Sequence, residues 1–232
     1  MEMLRKPLPA LAAREKYLGV AYLIFQFLFL PVLLQLVGGV FSISISDALY
    51  NFLYFSINFI CVIAIFSSFL KKNILRASRN QQQMLTAAAM GFGLYWLCST
   101  LMGVAIQALF PEFTNLNDGE LISIFGSYPL LMFLGTVILA PVAEEVLHRG
   151  LVFGALYEKN PWVAYIFSAL LFAAIHVVQY IGLYSPLYVV VALVQYLPAG
   201  LIFAWSYQKC GCIFAPIAIH IINNLLAFCF VR

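Results

Sequence analysis

A series of long, continuous apolar runs constrains the fold of this chain more than any other feature of its sequence. The runs cover about residues 17–40, 50–70, 85–110, 130–157, 162–180, 187–207 and 212–231. An α-helix needs roughly 20 residues to cross the hydrocarbon core of a bilayer, and each run has about that length. With a mean hydropathy of +0.99 and only 9% charged residues, the chain is too apolar for a soluble globular domain.

The runs predict an all-α fold, a polytopic transmembrane helix bundle with about seven spans and a range of about six to eight. The segment 121–128 fits either an interfacial helix or the start of a long, tilted fourth span. A β-barrel is excluded because the runs are continuously apolar and do not alternate. We expect one integral membrane domain over residues 1–232, with N-terminal spans and loops at 1–126 and the motif-bearing helices at 127–232.

Basic residues sort to one side of the predicted membrane. They occupy the N-terminal tail at Arg5, Lys6, Arg14 and Lys16, and the second connection at Lys71, Lys72, Arg76 and Arg79. Because short cytoplasmic loops are enriched in Lys and Arg, we expect a multi-pass protein of the cell membrane with a cytoplasmic N-terminus. The second connection, which continues into three glutamines, is expected to be a solvated loop.

A net charge of only +3 without a long basic tract excludes a nucleic-acid partner.

The cysteines do not indicate a disulfide framework. There are 5 of them, an odd number, and those within the runs are read as small apolar residues. Cys210 and Cys212 lie at the predicted inner edge of the membrane, where a bound metal or acylation is an alternative to simple packing.

Ionisable residues inside the predicted spans occur only in the C-terminal part of the chain. They are Glu144, Glu145, His148, Arg149, His176 and His220. A charged side chain at the centre of a membrane helix costs roughly 2.5 to 3.5 kcal/mol on insertion scales. Such residues are therefore candidates for function.

The fourth run places its polar residues on two adjacent faces. Glu145 precedes Arg149 by four residues, the favourable order for an ion pair along a helix. Glu144 lies about 100° around the helix from Glu145 and shares its face with His148. Glu144 is therefore a carboxylate that the arginine does not directly neutralise.

Two further runs bring an imidazole to a similar predicted depth. His176 follows Phe172 by four residues in the fifth run, and His220 precedes Asn224 by four in the last run. At a rise of about 1.5 Å per residue, all of these side chains can reach one layer together with Glu144.

This set of side chains suits hydrolysis of an acyl bond. A carboxylate and an imidazole can activate a water molecule, while an imidazole and an amide N–H can stabilise the oxyanion that develops. Direct attack by water is favoured because the sequence lacks a Gly-x-Ser-x-Gly elbow. No cofactor is expected, although zinc bound by Glu144, His148, His176 and His220 is an alternative; a His-Glu-x-x-His motif is absent.

Three motifs in this order resemble the CPBP (CAAX protease and bacteriocin-processing, or Abi) family of membrane proteins. They are Glu144-Glu145-x-x-x-Arg149, Phe172-x-x-x-His176 and His220-x-x-x-Asn224. The resemblance implies an intramembrane glutamate-type endopeptidase without a required metal. It implies that Glu144 and His176 activate water, that His220 and Asn224 form the oxyanion site, and that Glu145 and Arg149 support the first motif. It assigns no role to His148.

Two other classes compete with a peptidase. One is a non-proteolytic membrane protein, such as a bacteriocin-immunity factor, a sensor-kinase regulator or a scaffold. The other is a proton-coupled transporter, which is disfavoured because the ionisable set spares the first three runs and no repeat is visible. The expected partners are a membrane-bound or amphipathic peptide substrate and the lipid bilayer, with a membrane-protein partner left open.

Overall fold

The structure is a computed structural model that describes residues 7–41, 46–115 and 128–230. Within these residues it forms nine helices and no strand beyond one isolated bridge. The helices are α1 (Ala13–Leu28), α2 (Leu30–Val40), α3 (Asp47–Ile65), α4 (Ser67–Arg79), α5 (Gln81–Leu109), α6 (Pro129–Tyr157), α7 (Pro161–Val177), α8 (Pro186–Cys210) and α9 (Phe214–Phe230). A 3₁₀ turn, Val178–Tyr180, extends α7. The predicted helical bundle is confirmed.

The helices account for the predicted spans. Five of them, α3, α5, α6, α7 and α8, are long and apolar enough to cross a membrane, and the bent pair α1 and α2 makes a sixth candidate. The apolar helix α9 is shorter, at 17 residues. This count is consistent with the predicted range, and the chain is a multi-pass membrane protein. Of the segment 121–128, all but Tyr128 lies outside the described residues, and Tyr128 precedes α6 in a non-helical conformation.

The first apolar run is not one straight helix. α1 and α2 meet at Phe29 and are bent by 52°. Pro31, the second residue of α2, has no N–H to donate to the preceding turn, and its ring crowds that turn. The break therefore follows from the proline.

The prediction of a solvated loop after the second run was wrong. Lys71 to Arg79 lie in α4, and the glutamines that follow begin α5. Phe69, Leu70 and Asn73 are buried on one side of α4, whereas its basic residues are partly or fully exposed. The segment is therefore an amphipathic helix, a pattern that a count of charges alone conceals.

α6 is an α-helix interrupted by two π-helical segments. These are Phe133–Leu139 and Val146–Phe153, and they flank the α-helical turns Ala140–Glu145. Pro141 cannot donate a hydrogen bond to the turn before it, which is where the first π-helical segment lies. The motif-bearing turns therefore lie between two widened stretches of helix, an irregularity that is frequent at functional sites.

α7 and α8 pack closely through small residues. A Cβ atom added to Gly200 of α8 would lie 2.7 Å from the Cα atom of Ala169 and 3.0 Å from its carbonyl oxygen, both in α7. Small residues allow two membrane helices to approach to this distance.

Gly200→Ala should therefore destabilise the protein by about 1–3 kcal/mol, because the atoms that the new methyl group meets belong to the backbone and cannot rotate away. Gly103→Ala in α5 is the matched control, since nothing lies within 4 Å of its added Cβ atom. Thermal unfolding in detergent measures both. Equal melting temperatures for the two variants would contradict the close packing.

Candidate active site

The structure brings the predicted site residues to the wall of one cavity. The cavity has a volume of about 910 Å³. Glu144, His148, His176, His220 and Asn224 all line it. Glu145 and Arg149 are fully buried beside it.

Glu144 and His176 face each other across a short gap. His176 Nδ1 lies 2.8 Å from the carbonyl oxygen of Phe172, which can only accept, so Nδ1 carries the hydrogen. In the neutral ring, Nε2 is then an acceptor, and it lies 3.9 Å from Glu144 Oε2. That oxygen is buried and has no hydrogen-bond partner among the described residues. The separation is too long for a direct hydrogen bond but lets both atoms bind one water molecule.

Aromatic side chains fix the orientation of the His176 ring. Tyr196 stacks on it with a centroid distance of 4.5 Å and an angle of 24°. Phe172 lies 4.7 Å away, measured between ring centroids. The ring is therefore held by two neighbours as well as by its own hydrogen bond.

Glu145 is the centre of a buried charged network. Its Oε1 atom accepts from Arg149 Nη1 at 3.1 Å and lies 3.0 Å from His220 Nδ1. Arg149 Nη2 also donates to the carbonyl oxygens of Ala199 and Gly200, at 3.2 and 3.3 Å. The predicted ion pair between Glu145 and Arg149 is present, and it also joins α6 to α8 and α9.

Two aromatic rings complete the surroundings of Arg149. Its guanidinium carbon lies 4.3 Å from the ring centroid of Phe172 and 5.2 Å from that of Phe203. Arginine is suited to such a site because its planar group donates several hydrogen bonds and also stacks on rings.

His220 and Asn224 direct polar groups into the cavity. Because His220 Nδ1 is next to the Glu145 carboxylate, its Nε2 atom is the one left for a ligand. Asn224 donates one amide hydrogen to the Thr136 carbonyl oxygen at 2.9 Å and accepts from Asn223 at 3.2 Å. A second amide hydrogen of Asn224 is left for a ligand.

His148, for which the sequence predicted no role, also lies against the cavity. Its Nδ1 atom is 2.8 Å from the Glu144 carbonyl oxygen, and its ring meets Phe172 edge to face at 5.5 Å. Its Nε2 atom is buried and, among the described residues, has no hydrogen-bond partner. His148 is therefore held in one orientation with a free acceptor.

The described residues offer no obvious metal site. No group of three or more His, Cys, Asp or Glu side chains in these parts of the chain is arranged to hold a metal ion. The alternative zinc site at Glu144, His148, His176 and His220 therefore gains no support from the geometry. That the protein needs no cofactor stays a prediction.

The N-terminal helices contribute more to the cavity than the sequence indicated. Gln26 of α1 and Asn58 of α3 line it and are 5% and 4% exposed. Tyr22 donates to Asn58 Oδ1 at 2.8 Å, and Tyr54 donates to the Gln26 carbonyl oxygen at 3.4 Å. Gln26 and Asn58 are uncharged, so they do not belong to the ionisable set; the signal that marks them in the sequence is an amide inside an apolar run.

Comparison with known proteins agrees with the motifs. Residues 126–226 match the family model described as type II CAAX prenyl endopeptidase Rce1-like. The chain is also 27% identical over 110 residues to the "Putative membrane peptidase YdiL" of Bacillus subtilis (strain 168), a match that covers 47% of this chain and 40% of that protein. No solved structure matches the chain. The matched helices, which carry the three motifs around one cavity, are similar to the CPBP family of CAAX-protease-like membrane proteins.

Proposed function

We propose that this protein is an intramembrane endopeptidase that hydrolyses a peptide bond of a membrane-associated peptide with a water molecule activated by Glu144 and His176. The observation that carries this proposal is the 3.9 Å gap between Glu144 Oε2 and His176 Nε2. Both atoms are acceptors in the neutral-histidine state, and they come from different helices. A water molecule between them donates to both and presents its lone pair to a substrate carbonyl.

The reaction follows from these positions. The water oxygen attacks the carbonyl carbon while one of its protons passes to Glu144, and the carbonyl oxygen becomes an oxyanion. Asn224 donates its remaining amide hydrogen to that oxyanion. His220 Nε2 faces the same oxyanion and donates to it when it carries a hydrogen. The proton held by Glu144 then passes to the leaving nitrogen as the C–N bond breaks.

The cytoplasmic placement of the N-terminus belongs to the same proposal. It is supported by the basic side chains of α4, with Lys71, Lys72 and Arg79 on its exposed surface. Labelling of a single engineered cysteine at Lys71 in intact cells and in inverted vesicles tests it, and labelling from the outside of intact cells would contradict it.

His176→Ala tests the activity. The purified variant should cleave membrane peptides at least about 10²-fold more slowly than the wild type, because the water loses one of its two acceptors. Mass spectrometry of the products from a peptide set in detergent micelles measures cleavage. Ile166→Ala, which alters an exposed residue of the same helix away from the cavity, is the control. Equal rates for His176→Ala and the wild type would contradict the mechanism, and peptide binding without any cleavage would favour a non-proteolytic role.

Removal of metal ions should have little effect on the rate of peptide cleavage. We expect the cleavage rate to change by less than about twofold after treatment with a chelator, because the proposed water is activated by a carboxylate and an imidazole and not by a Lewis acid. Elemental analysis accompanies the kinetic measurement. Stoichiometric zinc that is lost in His220→Ala would overturn this expectation.

A further inference from the structure

α4 lies at the ends of other helices, on the side of the bundle that holds the N-terminus. The Phe69 N–H, in the first turn of α4, donates to Glu15 Oε1 at 2.7 Å, and Glu15 lies in the first turn of α1. One turn further along α4, Asn73 Oδ1 accepts from the Ile213 N–H at 2.9 Å. Ile213 lies in the turn that joins α8 to α9. α4 is therefore held where three apolar helices end, at the level of one membrane surface.

Exposed aromatic side chains mark the same level. Tyr17 follows Glu15 by two residues in α1, and Trp162 lies in the first turn of α7, which starts on the same side. Both side chains are largely exposed. Tyrosine and tryptophan are enriched where membrane proteins meet the lipid headgroups. The start of α4, which is bonded to Glu15, therefore lies near the headgroup layer.

Exposed apolar and basic side chains share the outer surface of α4. Ile74 and Leu75 are 55% and 56% exposed. The helix also carries four basic residues and no Asp or Glu, and Lys71, Lys72 and Arg79 are exposed. In a headgroup layer the apolar side chains reach the acyl chains while the basic groups stay at the polar surface. This surface of α4 is therefore suited to contact lipid.

Two of the four basic residues of α4 already have partners within the protein. Lys72 Nζ and Arg76 Nη1 each donate to a backbone carbonyl oxygen of the N-terminal segment 7–12, at 2.8 Å in both cases. Within the part of the chain that the structure describes, Lys71 and Arg79 make no side-chain hydrogen bond or ion pair. These two cations are therefore the ones left for a ligand.

Lys71 and Arg79 stand one turn before and one turn after Leu75, on one side of α4. Their Cα atoms are about 12 Å apart along the helix axis. Each long side chain can lay its stem on apolar surface and extend its charge, so both charges can meet one phosphate group over Leu75. A free phosphate would leave Leu75 and Ile74 uncovered. A phospholipid supplies both an anion for the cations and acyl chains for the apolar residues.

We propose that Lys71, Leu75 and Arg79 form a binding site for the headgroup of an anionic phospholipid, whose acyl chains cover Leu75 and Ile74. A zwitterionic headgroup carries its own cation, which competes with Lys71 and Arg79 for the phosphate, whereas an anionic headgroup lacks that competitor. The inference is independent of the proposed peptidase function, because no residue of α4 lines the cavity.

Native mass spectrometry of the full, delipidated chain in detergent tests the site. The probes are phosphatidylglycerol and phosphatidylcholine with the same acyl chains. The wild type should bind phosphatidylglycerol at least about tenfold more tightly than phosphatidylcholine, because each cation near an anionic headgroup contributes about a fivefold preference. Lys71→Gln combined with Arg79→Gln should abolish this preference.

A second pair of substitutions is the matched control. Lys16→Gln combined with Lys159→Gln removes the same charge from exposed positions on the same side of the bundle but outside α4. This pair should keep the wild-type preference for phosphatidylglycerol. Thermal unfolding of both double variants should match that of the wild type, since all four side chains are exposed.

Inorganic phosphate distinguishes a lipid site from a simple anion site. An excess of inorganic phosphate should not displace phosphatidylglycerol from the wild type, because it gains no contact with Leu75 or Ile74. Leu75→Ser should weaken binding of phosphatidylglycerol by about three- to tenfold, the effect of lost apolar contact.

Four results would overturn the site. They are equal binding of the two lipids by the wild type, an unchanged preference in the Lys71 and Arg79 double variant, an equal loss in the control pair, and displacement of phosphatidylglycerol by inorganic phosphate. The first and the last need no substitution, so the test stands even where a variant fails to fold. A loss of the lipid preference only in the Lys71 and Arg79 double variant would support the site, whether or not the protein cleaves peptides.

Discussion

Glu144→Gln is expected to lower the rate of peptide cleavage by about 10²- to 10⁴-fold while the protein remains folded. Glutamine has nearly the same shape as glutamate but cannot take a proton from water. Glu144 Oε2 has no hydrogen-bond partner among the described residues, so no structural contact of that atom is lost. Cleavage of a reporter peptide, measured with thermal unfolding of the same sample, separates the loss of chemistry from a loss of structure.

Glu158→Gln is the matched control for this substitution. Glu158 lies just after α6 at an exposed position, far along the same helix from the cavity. The Glu158→Gln variant should cleave the reporter peptide at the wild-type rate. If Glu144→Gln also retains the wild-type rate, Glu144 is not the base and the proposed mechanism is wrong.

Arg149→Met is expected to destabilise the fold by about 3–5 kcal/mol, since it leaves a buried carboxylate without its main counter-ion. Arg149 and Glu145 are both fully buried. The substitution also removes the hydrogen bonds that join the arginine to the Ala199 and Gly200 carbonyl oxygens. Thermal or chemical unfolding in detergent should show the loss, together with a low yield of folded protein.

A double substitution tests the reason for that instability. Replacing both members of a buried ion pair with apolar residues is much less costly than removing one of them. Glu145→Leu combined with Arg149→Met should therefore recover much of the lost stability but remain poorly active, because His220 has lost the carboxylate that orients it. Lys159→Met, at an exposed position, is the neutral control. Wild-type stability in Arg149→Met alone would contradict the structural role of the pair.

The sequence predicted the helices well wherever length and hydropathy were sufficient. The runs in the C-terminal half agree with α6 to α9 to within a few residues, because proline, asparagine and glycine mark their ends. Asn160 caps α7 by accepting from the backbone N–H groups of Trp162 and Val163, and Gly211 ends α8 in the left-handed conformation. The prediction failed at α4, where charges were taken as evidence of a loop, and at Phe29, where one proline bends an otherwise uniform run.

Spacing along the chain predicts which of the candidate site residues share a helix face, but it does not predict their partners on other helices. A separation of four residues places Glu145 and Arg149 on one face of a helix whatever surrounds it, and their ion pair is present at 3.1 Å. The contact between His220 and Glu145 joins residues 75 positions apart. Helical periodicity carries no information about such a pair. The same holds for Gln26 and Asn58, which carry uncharged amides and line the cavity from apolar helices.

The sequence by itself determined that this chain is a helical membrane protein and that its intramembrane ionisable groups lie on the C-terminal helices. Both conclusions depend on the free energy of placing side chains in a bilayer, which is a property of each residue and its near neighbours. Only the tertiary structure decided which carboxylate is bound by the arginine, which one faces His176, and that amides from α1 and α3 share the cavity. Those outcomes depend on how helices distant in sequence pack, and packing is set by the complementary shapes of their surfaces.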